Sequence, residues 1–276
     1  MKLDASLIAR AVPPGSMRYY AWLYTPTAHR DVITALFLLE AELHDTARAP
    51  HEVAHTRLQW WREEIEQLIL GKARHPATQV LQAANNLNAI NFEPLRETLL
   101  SAAQELANAT YETDVELSQY LRGGLGGLFA VAAQTLSASN SEIIDTAVQL
   151  GAFVRQVEIT RDLRQDFHQG RLYLPLTTLD ALNIEYETLQ ADNWPDTFVQ
   201  LLTSRSKQQL TAYNTLKQSL LSSEKQSLRP LLVLTELHAR LLHTLATDPT
   251  KHTQSRVELG PMQKLWTAWK AARFSV

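Results

Sequence analysis

Cysteine is absent from the 276 residues. Disulfides, thiolate metal sites and cysteine nucleophiles are therefore excluded outright, although the absence does not fix the compartment. Neither sign of charge dominates: 26 Lys and Arg stand against 29 Asp and Glu, for a net charge of -3. That balance, without a long Lys/Arg block, argues against a nucleic-acid partner. Long apolar runs are missing as well. The longest uncharged stretch, Gly123 to Ser141, contains four glycines together with Gln134, Thr135, Ser137, Ser139 and Asn140, whereas a membrane span needs about 20 mainly apolar residues. The opening MKLDASLIAR puts an acid and an arginine where a signal peptide needs an apolar run. The expectation is a cytoplasmic protein, with peripheral membrane contact left open.

Strand signals are scarce, since runs of β-branched alternation and Asn-Gly or Asp-Gly turns do not occur. What is present is helical period. Between Asp31 and Ala47 the apolar positions Val32, Ile33, Leu36, Phe37, Leu39 and Leu43 recur at steps of three and four. Leu58 to Leu70 repeats the pattern and stops at Gly71, and His75-Pro76 opens the next helix. Further helices are expected over Phe92–Tyr111, Asp114–Leu136 and Ile143–Phe167, the last ending near Gly170. After an irregular stretch from Leu176 to Leu189 come helices near Trp194–Leu221, Ser227–Thr247 and Met262–Ala272. With 45% hydrophobic and 20% charged residues the chain can bury a sizeable core. It reads as all-α, one domain over residues 1–276, without internal repeats.

One stretch of the Ile143–Phe167 helix concentrates acids. Asp162 and Asp166 are four apart, so their carboxylates leave one helix face, with Glu158 one turn earlier on the same stripe. Like charges at this spacing repel, and a buried stripe needs an offset. Mg²⁺ with a bound diphosphate supplies one, because it takes one or two carboxylates and completes its shell with phosphate oxygens and water. Arg161, Arg164 and Arg171 lie near enough in sequence to meet phosphate oxygens through the guanidinium fork. On spacing alone, the stripe reads first as a solvated face whose acids pair with Arg155, Arg161 and Arg164, since such spacing is common by chance.

The surrounding residues narrow that choice. Leu150-Gly-Ala-Phe-Val-Arg-Gln-Val-Glu-Ile-Thr-Arg-Asp-Leu-Arg-Gln-Asp166, followed by Gly170-Arg-Leu-Tyr-Leu-Pro175, resembles the second aspartate-rich segment of the squalene/phytoene synthase family. The family pattern is LGxALQxTNIxRDxxEDxxxGRxYLP. Two of the departures from it change charge among the polar positions: Glu158 stands at the usual Asn and Arg155 at the usual Gln. The resemblance implies an isoprenoid-synthase-like helical bundle around a central cavity. It also implies an earlier acidic motif on a facing helix. The segment from Arg30 to Asp45 occupies that place and reads AExxD, with Ala41 at the leading Asp, Glu42 at the second and Asp45 at the last. Glu42 and Asp45 share a face at i,i+3, while Glu40 and His44 fall off it.

Other family-like segments are Ser16-Met-Arg-Tyr-Tyr20, Trp60-Trp-Arg-Glu-Glu64 with Gly71 and His75-Pro76, Tyr120 to Gly127, Ser255-Arg-Val-Glu-Leu259, and Lys264-Leu-Trp. The glycines at 123, 124, 126 and 127 cost helix stability. They resemble the family's kinked helix beside its prenyl-chain cavity, with Tyr120 and Phe129 as tunnel walls. A plain helix–helix contact is the other reading.

By resemblance, the chain condenses C15 or C20 prenyl diphosphates head-to-head. Metal ligands would then be Asp162, Asp166, Glu42 and Asp45, holding Mg²⁺. Arg30, Arg161 and Arg171 would contact diphosphate, and Tyr120 and Tyr173 would act at the carbocation or on the leaving group. NADPH is a further cofactor expectation, and the protein would be a monomer or homodimer. The alternative is a non-catalytic relative that binds a lipid or assembles a complex. The altered first motif resembles that of the mitochondrial complex I assembly factors, whereas the second motif is intact.

Overall fold

The computed structural model of the chain describes residues 3–88, 90–107, 110–136, 140–191, 193–248 and 256–274; Ser255, at the head of one family-like segment, lies outside them. Among the described residues there is no β-strand. The helices are α1 (Ala5–Ala11), α2 (Met17–Leu23), α3 (Arg30–Ala47), α4 (His51–Ile69), α5 (Pro76–Asn88), α6 (Pro94–Leu106), α7 (Asp114–Leu121) and α8 (Gly127–Thr135). They continue with α9 (Ser141–His168), α10 (Leu176–Leu182), α11 (Tyr186–Gln190), α12 (Asp196–Ser219), α13 (Ser222–Ser227), α14 (Arg229–Thr247) and α15 (Pro261–Phe274).

Starts and stops follow local chemistry. Asn140 caps α9 through its side chain, which accepts from the Glu142 amide at 2.9 Å. Proline precedes α4 at Pro50 and opens α6 at Pro94, where a missing N–H removes nothing the helix would use. Glu64, fully buried on α4, accepts from the Arg74 and His75 amides at 2.7 and 2.8 Å and so organises the start of α5. Gly71 and Gly170 adopt positive φ just beyond α4 and α9, the left-handed stop that glycine favours. The helices α1 and α2 were not expected from periodicity. Each spans only seven residues and is set by a cap, Asp4 and Ser16 respectively.

The expected helix from Asp114 to Leu136 is broken. Residues Arg122–Gly126 form a π-turn in which Gly124 takes ψ -106°, separating α7 from α8. The glycines there serve contact between helices. A Cβ on Gly127 would lie 2.6 Å from the Pro94 carbonyl and the Thr98 hydroxyl of α6. One on Gly151 of α9 would meet the Leu125 carbonyl at 2.6 Å. The kink thus lets α6, the π-turn and α9 approach backbone to backbone. Phe129 is 1% exposed inside the main core and walls no tunnel.

At 28 residues, α9 is the longest described helix, about 42 Å at 1.5 Å per residue. It is buried on several faces because α7, α8, α11, α12 and α14 all pack on it. The main core joins α3 and α14 to the first half of α9. A second apolar cluster surrounds its last turns with Tyr111, Tyr120, Phe167, Tyr173, Trp194 and Phe198. Between α3 and α9 an opening remains.

Gly151→Ala is expected to destabilise the protein by about 1–3 kcal/mol through overpacking, although alanine is the better helix former. Urea unfolding measures this; an unchanged or raised midpoint would show that α9 and the π-turn are not in backbone contact.

Candidate active site

The opening is a cavity of about 710 Å³, walled by α3 and α9 and completed by the start of α2, by His238 and Leu241 of α14, by residues 256–259 and by Lys264. This volume falls within the range of small-molecule sites. Its lining carries an unusual density of charge of both signs.

On α9, Glu158, Asp162 and Asp166 all line the cavity, with Arg155, Ile159 and Arg161 beside them. Asp162 is gripped from two sides. Arg161 donates to its two oxygens at 2.9 and 2.6 Å, and Arg256 Nε donates at 2.8 Å. Burial works to raise the Asp162 carboxyl, but these guanidinium groups outweigh it and hold it below the usual range. Asp166 differs. Its nearest cation, Arg48, is 4.0 Å away. Burial pushes its carboxyl up to about 6, against Arg155 and Arg48, and the Asp162 charge adds to the rise.

The α3 wall presents Glu40, Ala41, His44, Asp45 and Arg48. Ala41, His44, Asp45 and Arg48 follow the three- and four-residue spacing of one helix face. Glu42 lies outside this lining, so the expected face is split: Asp45 reaches the cavity together with Glu40 and His44, and Glu42 does not. Its carboxylate meets Arg10 Nη1 of α1 at 2.7 Å, while Arg10 Nη2 donates to Asp45 at 2.6 Å. Burial raises Glu42 above the usual carboxylate range, with Arg10 opposing and Asp45 reinforcing. One guanidinium therefore clasps both acids of the altered motif.

The cavity wall continues inward as a buried polar layer. Arg155 binds Glu105 and also donates to Tyr120 Oη at 3.0 Å, while Tyr120 itself donates to Glu105 at 2.5 Å. Arg18 meets Glu40 at 2.6 Å. His238 gives its Nδ1 proton to the Leu234 carbonyl at 2.8 Å and turns Nε2 toward Glu158 at 3.8 Å, too long for a hydrogen bond. Burial would raise Glu158, yet His238, Arg18 and Arg155 together hold it well below the usual range. Two positions that depart from the family pattern, Arg155 and Glu158, thus belong to one charge network.

Several expected site residues lie elsewhere. Arg30 is not at the cavity: it donates to the Thr25 and Leu23 carbonyls at 3.1 and 3.3 Å and lies under the Trp22 ring at 4.9 Å. Asp45 is fifteen residues further along α3, about 22 Å of helix, which explains the misplacement. Arg171 is outside the lining too. Its amide donates to the Asp166 carbonyl at 2.8 Å and Nη1 donates to Gln169 at 3.1 Å. Tyr120 and Tyr173 stack at 5.7 Å behind Arg155, below the lining rather than on it. Arg10, Arg18, Arg48, His238, Arg256 and Lys264 were not singled out one by one. The family-like segments 16–20, 255–259 and 264–266 already carried Arg18, Arg256 and Lys264.

A magnesium ion would fit the α9 half of this site. Asp162 and Asp166 share a face, and the raised Asp166 carboxyl is that of a buried acid short of positive charge. It does not fit the α3 half, where Ala41 offers a methyl group at the cavity face and Arg10 already occupies Glu42 and Asp45. Among the described residues, no three His, Asp or Glu side chains gather as a metal-binding group.

All-helical architecture around an acid- and arginine-lined cavity defines the isoprenoid-synthase class of fold. Residues 13–263 match the squalene/phytoene synthase family, and the chain belongs to it. A phytoene synthase of Mycobacterium tuberculosis is 24% identical over 265 residues, covering 94% of this chain and 86% of that protein. The 15-cis-phytoene synthase of Synechocystis is 24% identical over 185 residues, 62% of this chain and 55% of the relative. The chloroplastic phytoene synthase 1 of Arabidopsis thaliana is 21% identical, with 81% of this chain and 54% of the relative covered. The chain thus spans just over half the length of these last two. The crystal structure of a dehydrosqualene synthase in complex with ligand superposes with a TM-score of 0.82 at 15% identity, covering 97% and 94% of the two chains. That of the squalene synthase HpnC from Alicyclobacillus acidocaldarius gives 0.74 at 16%, covering 89% and 96%. These likenesses establish the fold.

Two measurements probe the site. A carboxyl raised from 3.8 to about 6 holds its proton more tightly when folded. Its contribution to stability therefore falls as pH rises from about 4 to 6 and stays low above that window. In metal-free buffer, Asp166→Asn should stabilise the protein by about 1–3 kcal/mol at neutral pH and do nothing below about pH 4; the same urea midpoint for both proteins at neutral pH contradicts this. Arg155→Leu should destabilise by about 3–5 kcal/mol, because Glu105 stays buried with less positive charge beside it. A loss below about 1 kcal/mol would mean that Arg48 suffices alone.

Proposed function

We propose that this protein is a squalene/phytoene-synthase-type prenyltransferase that binds allylic prenyl diphosphates, of C15 or C20 length, and condenses them head-to-head. The observation that carries the reading is the joint presence of Asp162 and Asp166 on one cavity wall with Arg18, Arg48, Arg155, Arg161, Arg256 and Lys264 around the same space. Arginines of this kind hold diphosphate oxygens through paired N–H donors.

Bound Mg²⁺, held by Asp162 and Asp166, would neutralise charge that develops on the departing diphosphate. The chain's own residues do the rest. Arg161 and Arg256 orient Asp162, and both are near enough to exchange that carboxylate for phosphate oxygens when ligand arrives. Arg48 and Arg18 supply positive charge on the opposite wall, where carboxylates of the first motif are missing or turned away. Arg10 offsets part of the charge of Glu42 and Asp45, which weakens the repulsion of an anion by that wall. Tyr120 and Tyr173 lie behind the polar layer and stiffen Arg155 by hydrogen bond and ring contact. Arg171 supports the Asp166 turn through its backbone. NADPH has no part in this proposal. It takes residues 1–276 as one domain, working in the cytoplasm as a monomer or homodimer.

A second reading is favoured by a specific observation. Ala41 at the cavity face and the Arg10 clasp on Glu42 and Asp45 remove one of two metal-binding walls. A relative that binds prenyl diphosphate or another lipid without turning it over would tolerate both.

Diphosphate release from farnesyl and geranylgeranyl diphosphate in the presence of Mg²⁺ separates the readings. The catalytic one expects turnover that falls about a hundred-fold or more in Asp162→Asn and Asp166→Asn. If the native chain binds these substrates without releasing diphosphate, while Ala41→Asp with Glu42→Asp does release it, the native protein is the non-catalytic relative.

A further inference from the structure

The last described helix, α15, is amphipathic the wrong way round for a helix facing water. It packs on α14 and α2 with small side chains, Ala268 and Ala271 being 0% and 3% exposed. Its large apolar side chains face outward instead: Met262 is 76%, Leu265 46% and Trp266 63% exposed. Trp266 also stacks on Trp269 with ring centres 5.0 Å apart, so the outward face presents a broad aromatic surface. Isolated exposed leucines are ordinary on a protein surface, but a contiguous stripe at helical spacing marks a binding face.

The charge on this helix indicates what the face meets. Its 14 residues contain Lys264, Lys270 and Arg273 and no acid, within a chain whose net charge is -3. Lys270 and Arg273 are exposed, and Arg273 continues the row of Met262, Trp266 and Trp269 at steps of four, three and four. Lys264 turns inward to donate to the Gly15 carbonyl at 3.0 Å on the cavity lining, so α15 begins at the cavity rim. A short helix with tryptophan, leucine and methionine on one face, flanked by cations, matches the boundary between acyl chains and anionic headgroups. Indole rings prefer that depth, and Lys and Arg meet lipid phosphates there. No described helix is long and apolar enough to cross a membrane. Contact through α15 would therefore lie in the plane of the surface.

We propose that α15 is an interfacial docking surface for an anionic lipid bilayer. Met262, Leu265 and Trp266 enter the headgroup boundary, and Lys270 and Arg273 pair with lipid phosphates. The proposal rests on this surface and is independent of the reaction proposed for the cavity.

Co-sedimentation of the full chain with phosphatidylcholine vesicles, with and without phosphatidylglycerol, tests it. The native protein is expected to partition onto the phosphatidylglycerol-containing vesicles, with a blue shift of tryptophan emission. Trp266→Ser with Met262→Ser should weaken that partitioning by about ten-fold or more and remove most of the shift. Lys270→Glu with Arg273→Glu should weaken it by about ten-fold or more on the same vesicles. All four side chains are exposed, so both variants should melt like the native protein. The proposal is overturned if the native chain ignores both vesicle types, or if it binds them equally well. Partitioning that is unchanged in the Trp266/Met262 variant overturns it too. So does a concentration-dependent dimer that this variant dissociates while no vesicle is bound, since the face would then belong to a second copy.

Discussion

The organising constraint in this protein is the burial of three like charges on one face of one helix. Glu158, Asp162 and Asp166 follow one another by single turns of α9, and at that spacing they repel. Burial makes each more costly to ionise. The structure answers with cations from other parts of the chain: Arg18 from α2, Arg48 from the end of α3, Arg155 from α9 itself and Arg256 beyond α14. Elements distant in sequence are drawn around the cavity by the same balance of charge. Arg10 applies it to the facing helix, where it joins α1 to α3 through Glu42 and Asp45.

That balance is unequal across the cavity. Asp162 is held by two guanidinium groups, whereas Asp166 sits with its nearest cation at 4.0 Å and keeps a raised carboxyl pKa. A group in this condition does little for stability, and such groups gather where ligands bind. On the facing wall the altered motif has been turned into a structural contact. Position 41 is where the loss of an acid matters most, because Ala41 occupies the cavity-facing row that also holds Asp45. A change at the neighbouring position 42 alone would have left that row intact. The departures Arg155 and Glu158 go further, placing charged side chains at positions where the family pattern has neutral amides.

Much of the fold was legible from period and punctuation. The α3 stripe, the glycine stop after α4, the carboxylate row of α9 and the turn at Gly170 all appear where their patterns predict. The misreadings have physical causes. What the glycines between α7 and α8 admit was hidden, because glycine runs look alike whether they face a ligand or a neighbouring helix; the nearness of Pro94, Thr98 and Val148 decides for the helix. The face assigned to Glu42 and Asp45 was drawn from their mutual spacing, which says that they meet but not which way they point. Arg30 was matched by its place before an acidic helix, yet a helix carries its first residue far from its last turns.

Taken alone, the sequence determined the all-helical class, the family and the α9 carboxylate row, because these depend on local spacing and on matching residues that keep register without a gap. It also contained the loss of an acid at position 41. Only the tertiary structure decided which cations meet those acids, that Glu42 leaves the cavity for Arg10, that His238 and Arg256 join the site, and that α15 turns its tryptophans outward. Pairings of this kind link residues as far apart as Asp162 and Arg256. No local pattern encodes them, since charge and hydrophobicity specify what must be compensated while the packing of helices determines by whom.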